Sequence, residues 1–286
     1  YDSVSAINPR AILGVATAFG LEGPYSNRVG FDGIAQAMSG AAYFAGTEEQ
    51  PVRAAVPWVD FGTASLLALG IVSALHAREK TGKGQLVEGA LLRTAMTFFS
   101  PTLIEEAVLN LNRKPSLNRS QTAGPSDIFK TKDGWITVAV NGDPLFRRVA
   151  KLIGATEWIE DKRFASDKLR GDNGEIISAR VQEWCAARTS DEAIKAFEGA
   201  RVPAGPVYTM REALDDPHLK ASDILTTVDF PGIGKAPIAA TPVKLHGTPG
   251  TVRRRAPTLG EHSDEILSEL GYSKADIADM RKLGVV

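Results

Sequence analysis

The chain is poor in the residues that most often announce a chemistry. One cysteine in 286 residues rules out an intramolecular disulfide and suits a reducing compartment. The four histidines, His76, His218, His246 and His262, are scattered and show no metal-ligand spacing, so no metal site is expected. Net charge is -1 with both signs mixed throughout, which excludes a broad field for nucleic acid or an anionic membrane. The basic run Arg253-Arg254-Arg255 reads as a solvated loop. No apolar run of membrane-spanning length is free of polar interruption, and no charged segment leads into a signal-like apolar one. These absences point to a cytoplasmic protein with neither nucleic-acid nor membrane partners.

What is present is ordinary for a globular protein of one or two domains: 43% hydrophobic residues, 27 glycines and 16 prolines, in a chain long enough to bury a sizeable core. The lone Cys185 lies in the helical pattern VQEWCAAR, where a small buried hydrophobe is expected rather than a nucleophile.

The most informative stretch runs from Pro51 to Leu92, and its centre is Asp60. Asp60 is the only charged residue between Arg53 and His76, and it precedes a nearly unbroken apolar segment. A carboxylate in that setting must be paired, capping or working. From Thr63 to Ala77 the residues favour a helix with no polar face, predicted to be buried all round. Its end is marked by His76, Arg78 and Lys80 and then Thr81-Gly82-Lys83-Gly84, where glycine accepts the left-handed terminal conformation. Its start therefore falls near Asp60. The free amides there would stabilise a carboxylate or an oxyanion forming on a bound carbonyl. On spacing alone, Asp60 also reads as a simple N-cap.

Before this stretch, Ala11 to Phe19 suits a buried parallel strand, and residues 20 to 32 form a turn-rich loop at its carboxyl end, where open α/β sheets bind ligands. A helix is expected from about Asp32, as a cap, to a break at Gly40. After it, Leu86-Val87 reads as a short strand and about Gly89 to Leu109 as one helix. The polar stretch from Asn110 to Pro125 is the best domain boundary. A hairpin is expected at DIFKTKDGWITVAV, turning at Lys132-Asp133-Gly134. Helices follow at DPLFRRVAKLIG, at about 174 to 187 and at 190 to 199, the last with a Thr189/Glu192 capping box. RVPAGPVYT reads as an edge strand, and the segment from Asp215 to Leu245 as strands and turns. Glu261 and His262 read as caps rather than an acid/base pair. Ser273 to Asp276 cap a final helix whose Ile277, Met280 and Leu283 pack inward.

The string VPWVDFGTASLLALGIVSALHAREKTGKGQLVEGALL resembles the core segment of the family III CoA transferases, the CaiB/BaiF family. The matching residues are Pro57, Asp60, Ala64 and Lys80 to Gln85. GPYSNRVGFDGIAQAMSG, the segment around Asp216-Pro217 and the closing APTLGEHSDEILSELGY are similar to further blocks of that family, in the same order. The resemblance implies an α/β fold, with an incomplete Rossmann-like large domain and a smaller α+β domain, in an interlocked homodimer. It implies a large-domain portion at 1–110, a linker at 111–125, a small domain at 126–225 and a return segment at 226–286 that docks on the large domain. About a hundred residues precede the matching segment in the family, including much of the CoA site. Together with Tyr1 in place of an initiator methionine, this raises the expectation that a portion is missing here.

For the site, the resemblance implies Asp60 as covalent nucleophile, with Val29, Gly30, Phe31 and Asp32 at the thiol end of CoA. Phe31 and Gly124 would line the substrate pocket. Asp32 would sit near Asp60, either tuning it or serving as a cap. No tightly bound cofactor is implied; CoA and acyl-CoA are substrates. Two other readings stand beside this one. The α-methylacyl-CoA racemase branch carries G-H-D where this chain has Gly30-Phe31-Asp32, so one of its two bases is lacking. A non-catalytic fragment without the CoA half is the other. The loop 120–125 has one glycine where formyl-CoA transferase has several, which argues against a lid.

Overall fold

The computed structural model describes residues 1–286 as two units, Tyr1–Val207 and Tyr208–Val286. The first unit opens with α1 (Asp2–Ile7), β1 (Leu13–Thr17), α2 (Asp32–Met38) and the short α3 (Ala41–Phe44). It continues with α4 (Trp58–Thr81), β2 (Leu86–Ala90), α5 (Leu91–Phe98) and α6 (Ser100–Leu109). β1 and β2 pair in parallel with Val15 opposite Glu88, and α4 crosses between them as their covering helix. α4 therefore runs antiparallel to both strands, and its first turn stands at their carboxyl ends.

α4 ends as its sequence demands: Gly82 adopts a left-handed φ of 71°, and its N–H bonds the Arg78 carbonyl. Its middle corrects the expectation of complete burial. Only Val59, Thr63 and Ala74 are buried, while Phe61, Leu69 and Val72 face outward. The helix packs one face on the strands, where Gly70 lies against Val87 and Gly14 against Ile71. By length and composition α4 does reach membrane-spanning character, with 17% of its apolar window buried. Its run is still interrupted by polar residues, Asp60, Thr63, Ser65 and Ser73 among them.

The single helix expected to run to Leu109 is two, broken at Phe99. Pro101 is the cause, since it has no N–H to give and its ring clashes with the carbonyl four residues back. The connection from 110 to 125 is tethered: Arg113 donates to both oxygens of Glu105 at 2.7 Å and to the Gln121 carbonyl at 3.2 Å.

The hairpin appears where expected, with β3 (Ser126–Lys130) antiparallel to β4 (Trp135–Ala139) and Ile136, Val138 and Val140 turned inward. α7 (Asp143–Leu152), two 3-10 turns, α8 (Asp167–Asp172), α9 (Gly174–Ala186) and α10 (Ser190–Gly199) follow. The edge strand β5 (Ala204–Pro206) then completes a sheet in the order β3-β4-β5. These elements enclose one continuous core that includes Phe129, Phe146, Phe164, Ile177, Val181 and Phe197. Cys185 sits inside it, and burial pushes its thiol up to about 12. The buried Arg170 guanidinium is compensated by Asp143 and Asp167 and lies 4.3 Å over the Phe146 ring.

The second unit contains α11 (Met210–Asp215), α12 (Pro217–Ala221), the hairpin β6 (Leu225–Phe230) and β7 (Gly234–Ala239), then α13 (Ser263–Glu269) and α14 (Lys274–Lys282). The segment at 217–221, expected as strand or turn, is helical. Asp216 accepts from the N–H groups of His218 and Leu219, with Pro217 at the first position. Ser273 and Asp276 form the expected capping box and Ile277 is buried, but Leu283 stays exposed. Glu261 is paired with Arg255, and His262 contacts Glu265, so the two neighbours do not act on each other. Arg255 is accordingly a bound side chain and not a solvated one.

Candidate active site

The carboxyl ends of β1 and β2 carry a loop folded back on the strands. The Thr17 hydroxyl accepts from Gly20 N–H at 2.8 Å, and Glu88 Oε1 accepts from Leu21 N–H at 2.7 Å. Tyr25 stacks edgewise on Phe19 at 5.7 Å, with the Arg28 guanidinium 3.9 Å over its ring. Gly30 is required here for close approach, because a Cβ would stand 2.9 Å from the Ala18 side chain. The tightly held glycine leaves its neighbours outward: Val29 is 93% exposed and Phe31 80%. Two bare apolar side chains flanking a packed glycine form a surface suited to an apolar arm of a ligand.

At the start of α2 and α4 the two aspartates part company. Asp32 is 5% exposed, and its Oδ2 accepts from Val59 N–H at 2.8 Å and Asp60 N–H at 3.2 Å. It is a cap, but for α4 rather than for its own helix, whose N-cap is Phe31 with no side-chain bond. Its carboxyl is turned into the protein and spent on backbone amides. Asp32 thus stands beside the backbone of Asp60 and serves as a cap, and any further role at the CoA site would have to coexist with those two donors. Gln36, which sequence reasoning passed over, is 1% exposed; its amide nitrogen donates to Asp32 Oδ1 and its oxygen accepts from Ala54 N–H at 2.8 Å. The spacing from Asp32 to Gln36 is i, i+4 on one helix, the signal that could have revealed the pair.

The amides at the start of α4 are all engaged. Trp58 N–H bonds the Val56 carbonyl at 2.8 Å, Phe61 N–H the Pro57 carbonyl at 3.2 Å, and Asp32 takes the two between. The expected oxyanion donors at this terminus are therefore already occupied. Asp60 itself lies in the first turn of α4, exposed, and does not cap: its carboxylate is taken up by no donor in the structure. It therefore neither pairs with a cation nor caps a helix in this structure.

Gly124 stands elsewhere. It is buried, and a Cβ there would lie 3.3 Å from the Arg170 carbonyl and from Ile177. Its place is against α8 and α9, where the close backbone and Ile177 leave little room for a side chain. A cavity of about 320 Å³ bounded by Tyr43, Phe44, Met96, Phe99, Leu103 and Arg113 does not include Asp60.

Residues 1–263 match CoA-transferase family III. The chain belongs to that family. Succinyl-CoA–D-citramalate CoA-transferase of Chloroflexus aurantiacus is 30% identical over 289 residues, covering all of this chain and 72% of that protein. Formyl-CoA:oxalate CoA-transferase of Rhodopseudomonas palustris is 32% identical over 311 residues, covering 99% of this chain and 72% of its own. Among solved structures, a CaiB/BaiF family protein from Brucella suis superposes with a TM-score of 0.74 at 29% identity, covering 94% of this chain and 70% of that one. The family III chain is therefore an enzyme of the CoA-transferase type, a mixed α/β protein with small sheets that handles CoA thioesters. The racemase reading is not favoured, and Phe31 occupies the position its histidine would need.

Proposed function

We propose that this enzyme moves CoA from an acyl-CoA donor to a carboxylic acid through a covalent aspartyl-CoA thioester on Asp60. The observation that carries this is the contrast between two neighbouring aspartates: Asp32, at the start of α2, is buried with both oxygens hydrogen-bonded, while Asp60, in the first turn of α4, is exposed and its carboxylate unbonded at the strand ends. A carboxylate with free lone pairs in a fixed helical turn is a positioned nucleophile.

The chemistry balances without a metal or redox group. Asp60 attacks the thioester carbonyl of the donor, the carbon–sulfur bond breaks, and CoA leaves as thiolate. A mixed anhydride between Asp60 and the acyl group remains. The thiolate then attacks the aspartyl carbonyl, releasing the donor acid and leaving Asp60 as its CoA thioester. The acceptor carboxylate attacks that thioester, expels thiolate and forms a second anhydride. Thiolate attack on the acceptor carbonyl gives the new acyl-CoA and regenerates Asp60. Val29 and Phe31 are assigned to the pantetheine arm, since both are bare and apolar beside Gly30. The working form is assigned as a homodimer with a Rossmann-like large domain at 1–110, a linker at 111–125 and a small domain at 126–225. Residues 226–286 are assigned as the C-terminal segment, and the compartment as the cytoplasm. The exposed apolar face of α4 and the single buried thiol support the dimer and the compartment respectively.

The test replaces Asp60 with alanine and with asparagine. CoA exchange between a succinyl-CoA donor and a panel of acids should vanish in both, and solvent deuterium should not enter the α-carbon of the donor. Persistent exchange in Asp60→Ala would remove the nucleophile assignment; deuterium incorporation would restore the racemase reading.

A further inference from the structure

Gln36 is buried, and its side chain makes two hydrogen bonds. Its side chain bridges the Asp32 carboxylate and the Ala54 N–H, joining α2 to the segment that leads into α4. Asp32 in turn holds the N–H groups of Val59 and Asp60. The chain of bonds thus runs from residue 54 through Gln36 and Asp32 to the backbone of Asp60, around Val59, which is buried against Ala35 and Ala95. Every bond in it has a fixed direction: backbone amides and the Gln36 amide donate, and the Asp32 carboxylate and the Gln36 carbonyl accept. A buried network of that kind specifies one arrangement of the groups it joins.

We propose that Gln36 is a positioning residue for the transfer reaction: by locking the Asp32 carboxylate onto the first turn of α4, it fixes where the Asp60 nucleophile stands. The proposal rests on Asp60 being that nucleophile. Gln36 touches no reacting atom and acts only through Asp32 and the backbone of residue 60. An apolar side chain here would leave the buried Asp32 Oδ1 and the Ala54 N–H without their partners, so the amide both satisfies these groups and orients the acceptor that holds α4.

The directionality supplies the test. In Asp32→Asn the amide group at position 32 faces the Gln36 amide, donor against donor. In Gln36→Glu two carboxylates face each other. In the combined Asp32→Asn/Gln36→Glu variant, the N–H at position 32 donates to the carboxylate at position 36, and Ala54 N–H keeps an acceptor. Misplacement of a nucleophile by about 1 Å costs on the order of 10²-fold. Each single substitution should therefore lower kcat about 10- to 100-fold with KM for acyl-CoA unchanged within about twofold, and the combined variant should recover to within about threefold of the parent. Singles with full kcat would overturn the proposal, as would a loss confined to KM or a combined variant that folds without recovering. Should the singles fail to fold, kcat of the combined variant decides alone. Asp60→Ala measured in parallel separates the two ideas: exchange that survives it sinks the nucleophile assignment, whereas its loss with unaffected position-36 variants sinks only the role of Gln36.

Discussion

Two parts of the first unit use the same kinds of residue to opposite ends. From Ser126 to Val207 the chain closes on itself, with phenylalanines, valines and a cysteine sealed into one core and even a guanidinium matched by two carboxylates. From Tyr1 to Leu109 the wholly buried apolar set at the start of α4 is only Ala35, Val59 and Ala95, and large apolar side chains such as Phe31, Phe61 and Leu69 stand in the open. In the first region burial is spent on stability. In the second, the buried Asp32 and Gln36 converge on the turn that carries Asp60, the buried Thr63 bonds Thr94 across to α5, and large apolar side chains stay at the surface. Substitutions should accordingly separate, with activity responding at one end of the unit and stability at the other.

The sharpest separation comes from Asp60→Ala. Loss of a covalent nucleophile should reduce exchange by about 10³-fold or more, while thermal melting stays close to that of the parent because the carboxylate bonds nothing. Phe197→Ala probes the opposite pole: removal of a fully buried phenyl ring should cost about 3–5 kcal/mol in denaturant unfolding, with kcat per folded molecule preserved. If Phe197→Ala lowered kcat as strongly as it lowers stability, the division would be wrong. Asp32→Ala lies between the two, for it strips a helix cap and orphans buried donors. About 1–2 kcal/mol of stability and a fall in kcat should go together, read by denaturation and steady-state kinetics on the same sample.

The smallest effect is expected in the second unit, far from either pole in sequence. Bonding to Arg255 first, and then to Thr258, holds the Glu261 carboxyl down at about 2. A folded-state value below the unfolded one stabilises at pH above about 4.5, and that contribution fades as pH falls toward 2. Amide protection around residues 255–262, taken relative to the intrinsic exchange rate at each pH, should therefore fall over that acid range in the parent and lose this pH dependence in Glu261→Gln, with CoA exchange at neutral pH unaffected.

What the sequence disclosed divides along the same line. Period-two alternation in the hairpin, the Thr189/Glu192 and Ser273/Asp276 boxes and the Gly82 stop are local signals, each decided within a few residues, and each is where it was expected. Pro101 should have broken the helix at Phe99 on the same logic, but the strong apolar periodicity on either side concealed the break. Around the candidate site, the sequence placed Asp60 at the start of α4 and residues 20–32 in the loop at the carboxyl end of β1, and the structure has both there. That Asp32 caps a helix starting 26 residues later, or that Gly124 packs on Arg170, depends on contacts across the chain that no local window contains. Equally, a helix apolar on every side does not declare how much of it the rest of the chain will cover, and α4 is covered on one face only.

The account turns on whether Asp60 becomes a thioester. The direct measurement is intact-peptide mass spectrometry after the enzyme is mixed with acyl-CoA alone, in the absence of acceptor, and quenched in acid or with hydroxylamine. The peptide containing Asp60 should gain the mass of CoA in the first case and a hydroxamate in the second, and the acceptor acid should discharge both signals when added before the quench. An unmodified Asp60 peptide in an enzyme that is turning over, or the adduct found on another residue, would contradict it.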